Sequence, residues 1–201
     1  MAVNRLPPTD PSIEPVLAQL DEYLGRYPDE VAVVRRIRGL AEMHPDCFHR
    51  TCRPGHLTAS AWVTTRNGKE ALLVHHRKLE RWLQPGGHAD GDNHLARVAL
   101  REASEETGLN ELELVGGFMM PLDVDVHEIP ARYHADGRLI EDAHEHHDVR
   151  FLVVSPTAAP PAVSDESHDV RWFAVEDLPS VTQEESVLRL ARKAAPLLGS
   201  E

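Results

Sequence analysis

Positive charge is scarce in this 201-residue chain: Lys and Arg total 21 against 33 Asp and Glu, a formal net charge of −12. That balance argues against nucleic acid as a partner, since non-specific binding to its backbone needs a clustered positive surface. Cysteine is scarcer still. Cys47 and Cys52 are the only two, too few for a disulfide framework. No apolar run approaches the roughly 20 residues that a membrane helix needs. The opening residues, MAVNRLPPTDPS, lack the apolar segment of a secretory signal. The expectation is a cytosolic protein with no membrane partner. Internal repeats are also missing, and only SPTAAPPA (155–162) reads as a Pro-rich loop. What is present is enough apolar residue, 41%, for one well-buried core plus an appendage. The acidic excess suits a site that gathers divalent cations first and a phosphorylated ligand second.

The first segment reads as two helices. Ile13, Leu17, Leu20 and Leu24 recur at helical spacing, and Val33, Ile37 and Leu40 do so again after Tyr27-Pro28-Asp29. Pro28 suits the first turn of the second helix, which is expected to end near Met43. From about Leu57 the texture changes to strands: LTASAWVTT and EALLVHH flank Arg66-Asn67-Gly68-Lys69, and Asn-Gly is a strong hairpin signal. The turn-rich QPGGHADGDN leads into a helix from about His94 to Thr107, stopped by Gly108. Strands are expected at 118–129, 146–155 and 170–174, and a final helix at 184–198. Runs of strands interrupted by one central helix and closed by another indicate an α+β arrangement.

The central helix carries the chemistry. On a wheel of about 100° per residue, Leu95, Val98, Ala99 and Ala103 form one apolar arc. Glu102 and Glu106 fall inside that arc and Glu105 sits on its edge. Unpaired carboxylates are costly there, and a hard divalent cation such as Mg²⁺ or Mn²⁺ would offset the cost. A solvated acidic stripe bridged by Arg97 and Arg101 is the plainer alternative. The shared face and the glycine turn just ahead favour the metal. Gly86 and Gly87 let backbone groups approach an ion or phosphate closely.

Gly87 to Leu109 reads GHADGDNHLARVALREASEETGL. This resembles the Nudix box, G-x5-E-x7-R-E-U-x-E-E-x-G-U with U aliphatic, found in MutT-like Nudix hydrolases. Gly87, Arg101, Glu102, Glu105, Glu106, Gly108 and Leu109 match at their spacings, and Ala103 is a small U. The likeness extends from about Leu57 to Leu178, with DVRWFAVEDLP similar to the closing strand and turn. It implies a Nudix α/β/α sandwich with a mixed sheet over residues 57–201, preceded by a helical extension at 1–56 that covers the cleft or forms a homodimer interface. It implies Glu105, Glu106 and the Gly86 carbonyl as metal ligands, and Glu102 as a further ligand or the general base. Arg101 would hold the acidic cluster by an ion pair. One position departs: the box expects Glu where Asn93 stands. Asn93 is a good N-cap, and Asp90 or Asp92 could replace the missing carboxylate.

Other constellations stay open. Asp123, Asp125 and His127 share one strand face; His144, His146, Asp148 and Arg150 share another. Paired, they give a solvent-exposed polar face, a substrate surface, or a second metal site. His127, His146 and Asp148 are therefore expected substrate contacts, with His88 at the start of the box. Arg77 and Lys78 could meet phosphate or merely be solvated. Glu166 could be a late acidic ligand to the metals or a loop glutamate. Trp82 is expected to pack under the glycine turn. Cys47, His49, Cys52 and His56 are zinc-competent, but their spacing fits no common structural site.

The activity implied is metal-dependent hydrolysis of a diphosphate bond in a nucleoside diphosphate linked to a moiety X. Two alternatives are a non-catalytic nucleotide-binding module of the same fold, and different metal chemistry, such as isomerisation, run from the His-rich face.

Overall fold

The computed structural model describes residues 12–165 and 167–198. The early apolar periodicity becomes α1 (Glu14–Arg26) and α2 (Val31–Met43), joined by a 3-10 turn that Pro28 opens. Val16, Gln19, Leu20 and Tyr23 form the buried stripe of α1. Ile13, Leu17 and Leu24 lie on its flank and are only partly covered.

After this hairpin the period of the sequence changes from that of a helix to that of a strand. β1 (Gly55–Thr65) and β2 (Glu70–His76) pair antiparallel, Val63 opposite Leu72, around the expected Asn67-Gly68 turn. β3 (Arg81–Leu83) adds to β2, and β4 (Gly86–His88) adds to β1. The central helix is α3 (Leu95–Thr107), closed by Gly108 in the left-handed conformation at φ 70°. There follow β5 (Glu113–Leu114), β6 (Pro121–Ile129), β7 (Arg132–Tyr133), β8 (Leu139–Glu141), β9 (His144–Ser155) and β10 (Ser167–Ala174). α4 (Leu178–Val181) and α5 (Glu185–Leu198) complete the described chain. β6 begins at Pro121 and not at the expected residue 118. Gly116 and Gly117 both take positive φ, so Phe118 to Met120 lies in a turn.

The sheet is mixed, in the order β10-β2-β1-β9-β5, with β6 also on β9. β9 runs parallel to β1 from Gly55–Glu145 to Thr65–Ser155 and antiparallel to β6. Alternation along β1 and β9 gives the sheet two faces. Leu57, Ala59, Ala61, Val63, Val149, Phe151 and Val153 share one core with α1, α2 and α3. Trp62, Leu122 and Leu152 meet Leu178 of α4 and Val187, Leu190 and Ala194 of α5 on the other. The result is an α/β/α sandwich in which the N-terminal hairpin sits beside α3 within one core. Each fully buried Leu or Phe in these layers contributes on the order of 1.5–3 kcal/mol. Among the described residues no helix is long and apolar enough to cross a membrane.

The α5 face changes character along its length. In step with Trp62 and Leu152 come Ser60, Thr58 and His56 on β1 and Arg150, Asp148 and His146 on β9. This polar half, beyond the apolar cover of α5, is where the second group of chemistry-bearing residues lies.

Candidate active site

Glu102, Glu105 and Glu106 project from the margin of the face by which α3 packs on β1 and β4. Glu102 and Glu106 are half-buried and Glu105 is exposed. Arg101 donates to Glu102 at 2.6 Å and to the His88 carbonyl at 2.9 Å, so one guanidinium ties the helix to β4. Gly87 faces the same carboxylate, and a β-carbon there would fall inside it. A β-carbon on Gly86 would collide with Ser60 across the strand pair. Ala61 N–H donates to the Pro85 carbonyl, and Ala89 N–H to the Leu57 carbonyl. The intervening Ser60–Gly86 pair is therefore of the non-hydrogen-bonded kind, and the Gly86 carbonyl points away from β1. Burial raises the Glu102 carboxyl above the usual carboxylate range despite Arg101; Glu105 and Asp90 add to the rise. Three carboxylates at i, i+3 and i+4 beside an outward carbonyl are oxygen donors suited to a hard divalent cation.

β4 separates this group from a second one. Gly87 looks toward α3, so by alternation His88 looks to the opposite face, the polar half described above. There β6 and β9 pair as Asp123–Arg150, Asp125–Asp148 and His127–His146, and His56 on β1 lies beside His146. The face is not a solvated one. Asp123, Asp148, Arg150, His144 and His56 are all buried. Asp148 accepts from Thr58 at 2.9 Å, Ser60 at 2.7 Å and Arg150 at 2.8 Å. Arg150 also reaches Asp123 at 3.2 Å and Asp125 at 3.1 Å. From α5, Arg189 bonds Asp123 at 2.8 Å and Asp125 at 2.9 Å, and Lys193 bonds Asp123 at 2.7 Å and Glu30 at 2.6 Å. Burial alone would raise both aspartates, but Arg189, Arg150 and Lys193 hold Asp123 below the usual range, and His127, Arg150 and Arg189 do so for Asp125. Beyond this network His56, His88, His127, His144 and His146 cluster. Burial pushes His56 down to about 4 and lowers His88 and His146 as well, with neighbouring imidazoles adding to the effect at each.

A family model of the NUDIX domain matches residues 54–193. The chain belongs to the NUDIX family. A NUDIX-family hydrolase from Clostridium perfringens is similar in structure, with a TM-score of 0.51 and 22% identity, covering 72% of this chain and 98% of that one. The dihydroneopterin triphosphate pyrophosphohydrolase of E. coli aligns with a TM-score of 0.53 at 16% identity, over 72% and 96% of the two chains. At such identities the likeness is one of fold. Among curated proteins no match is found.

Within the Nudix box the departure at Asn93 has a local explanation. Asn93 does not cap α3; the cap position falls to His94, whose side chain makes no capping bond. Asn93 is buried, and its amide donates to the Ser12 carbonyl at 2.7 Å, pinning the start of the described chain. The loop carboxylates are engaged as well. Asp92 is bonded by Arg97 and by the His94 N–H, and Asp90, at φ 51°, is bonded by Arg50. Asp90 is the nearer of the two in effect, since its charge acts on both Arg101 and Glu102.

Arg77 lies on the turn after β2 and donates to the Ser167 carbonyl at 3.1 Å, with β1 between its strand and β9. Glu166 lies outside the described residues. Trp82 packs against Phe173 and His75, not under the glycine turn, because β3 pairs with β2 and not with β4. Cys47 and Cys52 are buried free thiols whose pKa values burial pushes up to about 11 and about 12, with Asp46 adding to each. The members of the polar half that the sequence analysis passed over are Thr58 and Ser60 of β1 and Arg189 and Lys193 of α5. HLTASAWV does alternate polar with apolar, which was a usable signal. Nothing local marked the two α5 cations.

Proposed function

We propose that this chain is a divalent-metal-dependent hydrolase that cleaves a diphosphate bond in a nucleoside diphosphate linked to another moiety. The observation that carries this reading is the carboxylate set of α3, with Glu102 held against Gly87 by an Arg101 that also bonds the His88 carbonyl. Glu105, Glu106 and the Gly86 carbonyl would hold the metal, with Glu102 as base or additional ligand. Mg²⁺ or Mn²⁺ there would polarise the diphosphate and neutralise charge on the leaving phosphate. Glu102 accepts the proton of the attacking water, whose oxygen bonds to one phosphorus. The bond from that phosphorus to the bridging oxygen breaks, and the bridging oxygen leaves with the other phosphate. The products are a nucleoside monophosphate and a phosphorylated X.

Arg101 is a positioning residue that fixes Glu102 relative to β4. The polar half supports the remainder of the substrate, with His127 and His146 at its solvent side and Arg77 toward the edge. Asp148, buried and fully bonded within the protein, acts there as a support for Arg150 and for the Thr58 and Ser60 hydroxyls.

Hydrolysis of a panel of nucleoside diphosphate derivatives with Mg²⁺ or Mn²⁺ tests the reading. Wild type should turn over at least one member, and Glu106→Gln should lower kcat by orders of magnitude with the fold intact. No wild-type turnover, with binding of the same nucleotides retained, would instead make the chain a binding module. The buried asparagine in place of the box glutamate is the observation favouring that second reading.

A further inference from the structure

The imidazoles on the α5 side of β4 take no part in breaking the diphosphate bond; His127 and His146 are assigned only to supporting the rest of the substrate. We propose that His56, His88 and His146 form a binding site for one borderline divalent transition-metal ion, of the Zn²⁺, Co²⁺ and Ni²⁺ class, separate from the carboxylate set. One ring nitrogen from each of the three lies within 4.8 Å of the others. Ring centroids are 4.8 Å apart for His56–His146, 5.1 Å for His56–His88 and 5.2 Å for His88–His146. A closed tetrahedral set with metal–nitrogen bonds of about 2.05 Å has nitrogens about 3.4 Å apart. The rings close that gap by rotating toward the ion. Their backbones need not move: three hydrogen-bonded strands, β1, β4 and β9, fix the positions from which they project.

His56 supplies the independent observation. It is 1% exposed, and both of its ring nitrogens are buried without a hydrogen-bond partner. The Cys52 backbone lies near enough to favour the charged ring slightly, yet makes no bond of good geometry with it. An unsatisfied buried polar group costs about 1–3 kcal/mol, and native structures contain few. A coordinated ion would satisfy one of the two nitrogens and leave the other as an N–H facing the nearby Cys52 backbone. The donor chemistry also selects the ion: three nitrogens and no carboxylate suit borderline transition metals and not Mg²⁺.

The surroundings are those of a supported site. His144 stacks on His56 at 5.0 Å, and its Nδ1 is held 2.8 Å from the Asp142 carbonyl. His127 lies 5.4 Å from His146, with its Nδ1 held 3.1 Å from Asp125. These two anchored rings pack against His56 and His146 and limit how far those can turn. His88 and His146 are only half-buried, so the fourth position opens to solvent on their side.

The test uses full-length, tag-free protein stripped with a chelator and titrated with Co²⁺ and Zn²⁺, followed by visible absorption and calorimetry. One equivalent should bind with a nitrogen-ligand Co²⁺ spectrum. His88→Gln/His146→Gln should weaken binding by more than about 100-fold, beyond the loss expected for a supporting residue alone. Both positions are half-exposed, and a native circular-dichroism spectrum and metal-free Tm would show that the variant folds. Glu105→Gln/Glu106→Gln should leave the nitrogen-ligand Co²⁺ spectrum and its one equivalent unchanged, removing only any further Co²⁺ that the carboxylates take. Three results would overturn the proposal: no binding by wild type, a nitrogen-ligand spectrum lost with the glutamates, or a thiolate charge-transfer band abolished by Cys52→Ser. The last would place the ion at His44, Asp46 and Cys52, the other grouping of potential ligands among the described residues.

Discussion

At the scale of single residues, the two glycines of β4 have separate duties. Gly86 clears Ser60 on one face and Gly87 clears Glu102 on the other. Gly87→Ala should therefore displace the Glu102 carboxylate and break its contact with Arg101, without opening the core. Diphosphate hydrolysis should fall about 10- to 100-fold, as small displacements of catalytic groups do, while Tm changes little. A Gly87→Ala enzyme with wild-type kcat would show that Glu102 tolerates movement and is not a base held in place. The residue pattern on α3 was legible because its carboxylates, its arginine and Gly108 lie within one helix and its caps. Asn93 was not. Its amide bonds the Ser12 carbonyl, 81 residues away in sequence, and nothing in the local pattern around the box points to so distant a partner.

At the scale of elements, β6 and β9 show what alternation can and cannot reveal. The shared faces of Asp123, Asp125 and His127 and of His146, Asp148 and Arg150 follow from period two alone, and the strands do pair in that register. Their burial does not follow, because it depends on α5. Arg189 and Lys193 reach Asp123 from 66 and 70 residues away, and on a helix wheel they are only an ordinary solvent stripe. Lys193 joins three layers, bonding Glu30 and Tyr23 from the hairpin as well as Asp123. At the centre lies Arg150, 3% exposed. Arg150→Met should cost about 3–5 kcal/mol, since it leaves buried carboxylates uncompensated. Arg150→Lys should recover only part of that, lacking the planar fork that serves three aspartates. Urea denaturation measures both, and a loss below about 1 kcal/mol for Arg150→Met would mean that the network is not truly desolvated.

At the scale of the whole molecule, the depressed pKa values act together in acid. His56, His88 and His146 are lowered in the fold. Below about pH 6.5 the unfolded chain binds protons there that the native one refuses, so stability falls with pH through that window. Asp123 and Asp125 are also lowered, so their contribution is complete above about pH 4 and is lost as pH drops further. In chelator, the denaturation midpoint should decline in these two stages. Lys193→Met should shrink the second and leave the first. A midpoint flat between pH 6.5 and 4.5 would refute the burial of neutral imidazoles. The central strand has one further consequence. β9 lies between β1 and β6, and Thr58 meets Asp148 across 90 residues of chain. Until residues 144–155 have been synthesised, a growing chain carries β1 and β6 as open edges with nothing to join them. Closing so long a loop is entropically slow, and open edges invite pairing with other copies. The protein should therefore depend, during its own synthesis, on something that shields those edges, and should misassemble readily when expressed faster than β9 can pair with both of them.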